Sequence, residues 1–159
     1  MVGPIALRQA DVCKLKREEA TIDGPVSCQH SGQGVAELVP VREIQVKSEI
    51  ARPMPREVVP AGSGYRVFGA AWAGESMVTK VEISTDNGKS WQEATLRDKS
   101  AAFTWRRWEY SWLVPEKTGR RVLLARATDA RGRMQPMKRD EDRRDAVISH
   151  VLPIEVEIR

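Results

Sequence analysis

The chain has 159 residues, 41% hydrophobic and 30% charged, with 26 Lys and Arg against 22 Asp and Glu. That composition fits one globular domain with an appended arm, large enough to hold a core without covalent staples. No apolar run reaches the roughly 18 residues that a membrane-spanning helix needs, so no membrane partner is expected.

Residues 1–36 carry no aromatic side chain and little periodicity, and are expected to form a poorly structured N-terminal arm or linker. A weak helix over residues 6–20 is the only element predicted there, with loops at Gly24-Pro25 and at residues 31–34. The apolar run of residues 1–8 is too short for a secretory signal. The chain is therefore expected in the cytoplasm, or in the periplasm if an export signal lies on a part outside this sequence. Cys13 and Cys28 are compatible with a disulfide, but two free thiols are the expected state. Cys28 and His30 fall short of the four ligands of a structural zinc site.

Residues 37–159 are expected to form the folded domain. Ile44, Val46, Ser48 and Ile50 alternate with polar residues and predict a first strand, which Pro53, Pro55 and Pro60 end. All nine aromatic residues lie between Tyr65 and Trp112. Because large rings bury the most apolar area per residue, that stretch must supply the core, and Phe68, Trp72, Trp91, Trp108 and Trp112 are its expected members. The second strand is predicted over residues 65–72, with Val67, Gly69 and Ala71 opposite Phe68, Ala70 and Trp72. The small residues on one face imply close approach of another sheet or chain.

A third strand over residues 78–84 turns Val81 and Ile83 inward. The Asn87-Gly88 pair tolerates the positive φ of a tight hairpin, and residues 91–96 return as a fourth strand. The fifth, over residues 103–114, places Trp108, Tyr110 and Trp112 on one face. Its other face holds Trp105, Arg107 and Glu109, a mixed set that suits an interface better than a core. The sixth strand covers residues 121–129, and a last one, over residues 147–158, turns Ile154, Val156 and Ile158 inward. About seven strands joined by turns predict an all-β fold, an immunoglobulin-like β-sandwich.

Catalytic parts are missing from this pattern. No Gly-rich phosphate loop and no nucleophile elbow occurs. His150 is expected as a structural histidine of the last strand. The basic run at residues 131–144 is broken by Asp140, Glu141 and Asp142, so it reads as a solvated loop and not as a nucleic-acid patch. From the residues alone, the chain is a binding or assembly module.

Six blocks of this sequence, in order, resemble one family. They are Val46-Lys-Ser-Glu-Ile-Ala-Arg-Pro53, the Gly-Trp block at 69–74, and Asp-Asn-Gly-Lys-Ser-Trp at 86–91. The tryptophan strand at 105–112, Ala-Arg-Ala-Thr-Asp-Ala-Arg-Gly-Arg-Met-Gln-Pro at 125–136, and Ile-Ser-His-Val-Leu-Pro-Ile-Glu-Val at 148–156 complete the set. The resemblance is to the C-terminal, immunoglobulin-like dimerisation domain of sulfite-oxidase-type molybdenum-cofactor oxidoreductases, and it covers residues 37–159.

The resemblance implies an assembly role in such an enzyme, as a truncated or separately encoded C-terminal piece without the catalytic domain. The implied partners are a second copy and a domain carrying molybdopterin. No cofactor or metal is expected on this chain, because neither cysteine sits in a setting like that of the family's thiolate ligand. In some members an arginine from the last long loop reaches the anionic substrate pocket, which by position makes Arg143 or Arg144 the candidate. A guanidinium suits an oxyanion. The family's Trp-Asn context is replaced here by Glu141-Asp-Arg-Arg-Asp145. The alternative reading is a free-standing immunoglobulin-like ligand-binding module.

Overall fold

In the computed structural model the residues described are 27–29, 35–37, 44–139 and 148–159. They belong to two compact units, one drawn from residues 1–43 and 138–148, the other from 44–137 and 149–159. In the first, β1 (Ser27–Gln29) and β2 (Val35–Glu37) form an antiparallel hairpin with Cys28 opposite Ala36. All of this hairpin but Glu37, the first residue of the expected folded domain, stands in the segment expected to be a poorly structured arm. The helix expected over residues 6–20, and Cys13, lie outside the described residues.

The second unit is a sandwich of two sheets. Its strands are β3 (Lys47–Arg52), β4 (Val58–Val59), β5 (Gly64–Trp72), β6 (Val78–Ser84), β7 (Gln92–Glu93), β8 (Thr95–Leu96), β9 (Arg106–Leu113), β10 (Gly119–Asp129) and β11 (Ile154–Ile158). One sheet runs β4-β11-β10-β6-β7 and the other β3-β5-β9-β8. The described residues contain no helix, and the all-β, immunoglobulin-like expectation holds. Each of the seven expected strands is present, one of them in two pieces. The proline-rich stretch adds only β4, a two-residue edge strand parallel to β11, as missing N–H donors there require.

The core lies between the sheets. Val67 and Ala71 of β5, Trp108 and Trp112 of β9, Val81 and Ile83 of β6, Leu123, Ala125 and Ala127 of β10, and Val156 and Ile158 of β11 are all buried. Three of the rings expected in this core are elsewhere. Phe68 and Trp72 are half-buried on the opposite face of β5, because its inward face is the small one, Val67, Gly69 and Ala71. Gly69 is paired with Trp108 on β9, and a Cβ at Gly69 would stand 2.6 Å from the Trp108 ring. The large residue of one strand thus fills the space that the small residue of its neighbour leaves. Trp91 is also half-buried, with the Arg126 guanidinium 4.0 Å from its ring centroid, a cation–π contact at the sheet surface.

Residues 86–96 depart from a simple hairpin. Asn87 and Gly88 take φ of 62° and 83°, as the turn requires. The returning chain then pairs with β6 only through β7, buries Ala94, and crosses to the other sheet as β8 beside β9. The Ala94 N–H still donates to the Val81 carbonyl, at 2.9 Å, so the crossing begins at that residue. A six-residue strand was expected here; alternation alone does not reveal a change of sheet, because the pattern stays apolar-in across the step.

Strand β10 pairs with β11 over its first half and with β6 over its second, which leaves Ala127 without a strand on one side. Gln135 takes that place. Its backbone N–H donates to the Ala127 carbonyl and its Oε1 accepts from the Ala127 N–H. The same side-chain amide accepts from the Ser48 N–H at 2.8 Å and donates to the Ser48 carbonyl at 3.3 Å. One buried side-chain amide therefore acts as a peptide unit between β10 of one sheet and β3 of the other. His150 lies in a bend before β11, not in the strand, and its Nδ1 is buried with no partner among the described residues.

Candidate functional site

The outward face of the four-stranded sheet concentrates the side chains that neither the core nor the loops use. Lys47 and Glu49 of β3, Arg66, Phe68 and Trp72 of β5, and Arg107 and Glu109 of β9 share it by register. Trp105, just before β9, lies over Trp72 with ring centroids 4.6 Å apart and planes 23° apart. The Lys47 ammonium sits 5.8 Å from the centroid of Trp72 and 2.6 Å from the Glu49 carboxylate. Trp72 is covered by these neighbours, whereas Trp105 remains 67% exposed. Phe103 and Leu113, at 68% and 79%, are the other large apolar side chains left as open near β9.

Charges frame this patch. Arg66 lies over the Phe68 ring at 4.9 Å and bonds Glu109 at 2.9 Å, while Arg97 bonds the other oxygen of the same carboxylate. Arg107 forms a fork with Asp98, at 2.8 Å to Oδ1 and 3.0 Å to Oδ2, and its backbone N–H also donates to Oδ2. The sequence placed Trp105, Arg107 and Glu109 on one surface, and the structure brings all three there. It also supplies what spacing could not, namely that Arg107 and Glu109 each have a partner within the chain.

The Arg107 guanidinium and backbone N–H hold the Asp98 carboxyl down at about 2, against its ordinary 3.8. A carboxyl lowered on folding adds stability above its ordinary value and loses it as pH falls toward the lowered one. The urea midpoint is therefore expected to decline between about pH 4 and pH 2, and Asp98→Asn is expected to flatten that decline. Equal slopes in the two proteins would remove Asp98 from the account.

An open groove of about 410 Å³ on the other sheet is lined by Arg56, Val58, Arg120, Glu155, Glu157 and Arg159, without a catalytic set. Arg143 and Arg144 lie outside the described residues, as do Asp140 and Asp142.

Comparison with known proteins gives this geometry its context. The family model for the Mo-co oxidoreductase dimerisation domain matches residues 39–144. The chain belongs to that family. The Mo-co dimerisation domain is the assembling part of molybdenum-cofactor enzymes, not the part that holds the cofactor. Sulfite oxidase of Gallus gallus is 32% identical over 102 residues, which is 60% of this chain and 22% of that protein. The NADPH nitrate reductase of Aspergillus niger is 31% identical, over 60% of this chain and 14% of its own length. The crystal structure of the sulfane dehydrogenase SoxCD from Paracoccus pantotrophus superposes with a TM-score of 0.60 at 21% identity, over 76% of this chain and 31% of that one; it shows the shared fold. This Mo-co dimerisation domain thus spans less than a quarter of the length of these curated relatives.

The described residues offer no cluster of three or more His, Cys, Asp or Glu side chains able to hold a metal. No described helix is long and apolar enough to cross a membrane.

Proposed function

We propose that this domain pairs with a second copy of itself through the outward face of the β3-β5-β9-β8 sheet, and that the pair supports a molybdenum-cofactor domain of a sulfite-oxidase-like oxidoreductase. The single observation that carries the reading is the exposed Trp105 stacked on Trp72 within a ring of fixed charges. A two-fold contact uses one patch twice, so that patch must be self-complementary. Apolar rings at its centre and Lys47, Glu49, Arg66, Arg107 and Glu109 around them meet that condition, since each copy offers both signs of charge. Aromatic centres with polar rims are also where binding energy concentrates. The molybdenum-cofactor partner rests on the relatives, which are far longer than this chain.

Trp105→Ala tests the face directly, because the residue is exposed and its loss leaves the core intact. Sedimentation equilibrium is expected to give a self-association about thirtyfold weaker, the scale of one hot-spot residue. An unchanged dissociation constant, with near-UV circular dichroism showing a folded domain, would place the contact elsewhere. A ligand-binding module would use the same ring pair differently: sugar, peptide or sulfite would then change its tryptophan fluorescence at fixed protein concentration.

A further inference from the structure

The turn between β6 and β7 carries Asn87-Gly88, and Asn87 is exposed. Glycine places no side chain between its own amide nitrogen and the preceding Asn carboxamide, so this dipeptide is the sequence most open to attack of one on the other. In that reaction the Gly88 nitrogen bonds to Asn87 Cγ, the Cγ–Nδ2 bond breaks, and ammonia leaves with the Gly88 amide proton. Water then opens the cyclic imide at either carbonyl, leaving aspartate or isoaspartate with no redox change.

The turn holds the attacking nitrogen. The Gly88 N–H donates to Ser84 Oγ at 2.8 Å. Ser84 is buried, and its own hydroxyl donates to Asp86 Oδ1 at 2.7 Å. Asp86 is fixed in turn by the Ser90 backbone N–H at 2.9 Å and the Ser90 hydroxyl at 2.6 Å. The Asn87 N–H donates to the Val122 carbonyl, which pins the turn to β10. Attack requires the Gly88 amide to lose its proton and swing toward the Asn87 side chain, and both motions break the bond to Ser84.

We infer that Asn87 is a site of spontaneous deamidation whose rate is held down by the Ser84 hydroxyl, with water as the only co-reactant. The hydroxyl acts as a guard: while it accepts from Gly88, the imide cannot close. Conversion would add a negative charge beside Asp86, and the isoaspartate product would lengthen the backbone within the turn that sets β7 against β6.

The test follows the mass gain and the isoaspartate content of the full chain during storage at mildly alkaline pH, by peptide mass spectrometry. Ser84→Ala is expected to deamidate at Asn87 about fivefold faster than the parent, the weight of one net hydrogen bond. Ser84→Thr, which keeps the hydroxyl, is expected to stay near the parent rate. Equal rates in the parent and in a folded Ser84→Ala protein would overturn the inference. A second measurement needs no variant: the Gly88 amide is expected to exchange with solvent far more slowly than in a peptide of residues 84–91. Exchange as fast as in the peptide would likewise overturn it.

Discussion

Gly69→Ala is expected to destabilise the domain by about 3 kcal/mol, at the upper end of ordinary overpacking. An added Cβ would stand 1.9 Å from the Glu49 carbonyl oxygen and 2.6 Å from the Trp108 ring. Trp108 is 1% exposed and enclosed by the core, so moving its ring away from the new Cβ means repacking its buried neighbours. The carbonyl belongs to the backbone of β3, so relief there means shifting an edge strand. Thermal unfolding of the variant is expected about 10 °C below the parent in a domain of this size. Hydrogen exchange is expected to report the first loss of protection in Lys47–Arg52. A fall of less than a degree would mean that the two strands can part without cost, and that the small face of β5 is not what seats Trp108.

Gln135→Ala has an effect of similar size for the opposite reason, since it removes material. The Ser48 N–H and carbonyl and the Ala127 N–H each lose the partner that the side-chain amide supplies. Gln135 is 1% exposed, so water does not take its place in the intact fold. Leaving buried backbone groups unpaired costs about 1–3 kcal/mol each, and with partial relaxation the total is expected near 3 kcal/mol. Gln135→Leu restores volume without the amide and is expected to recover little of it. Urea unfolding of the two variants checks the point; a leucine variant as stable as the parent would show that the site needs bulk and not hydrogen bonds.

Much of the sandwich was legible in the sequence because half-buried strands alternate. Val81 and Ile83 and the Trp108, Tyr110 and Trp112 face follow directly from a period of two, and the Asn87-Gly88 turn follows from the positive φ that this pair tolerates. Which face of β5 turns inward did not follow. Ring size argued for Phe68 and Trp72, yet the inner space is already filled by Trp108 from the neighbouring strand, so only Val67, Gly69 and Ala71 fit. Gln135 left no signal at all. It sits in a loop between Met134 and Pro136, and its importance arises because β10 changes neighbours halfway along, a property of the sheet and not of any local pattern.

The candidate face divides the same way. The mixed composition of Trp105, Arg107 and Glu109 was visible along one strand. The stacking of Trp105 on Trp72, the Arg107–Asp98 fork, and the two arginines on Glu109 join residues from different strands and loops, which no spacing rule brings together.

The account stands most directly on which side chains become hidden when two copies meet. Hydroxyl-radical footprinting of the chain at low and high concentration reads this residue by residue. Oxidation of Trp105 and Phe68 is expected to fall as concentration rises, while the exposed Met54 and Val58 keep their reactivity. Protection of Val58 with Trp105 still open would put the pairing surface on the five-stranded sheet, and no protection at any concentration would mean that this face does not join two copies of the domain.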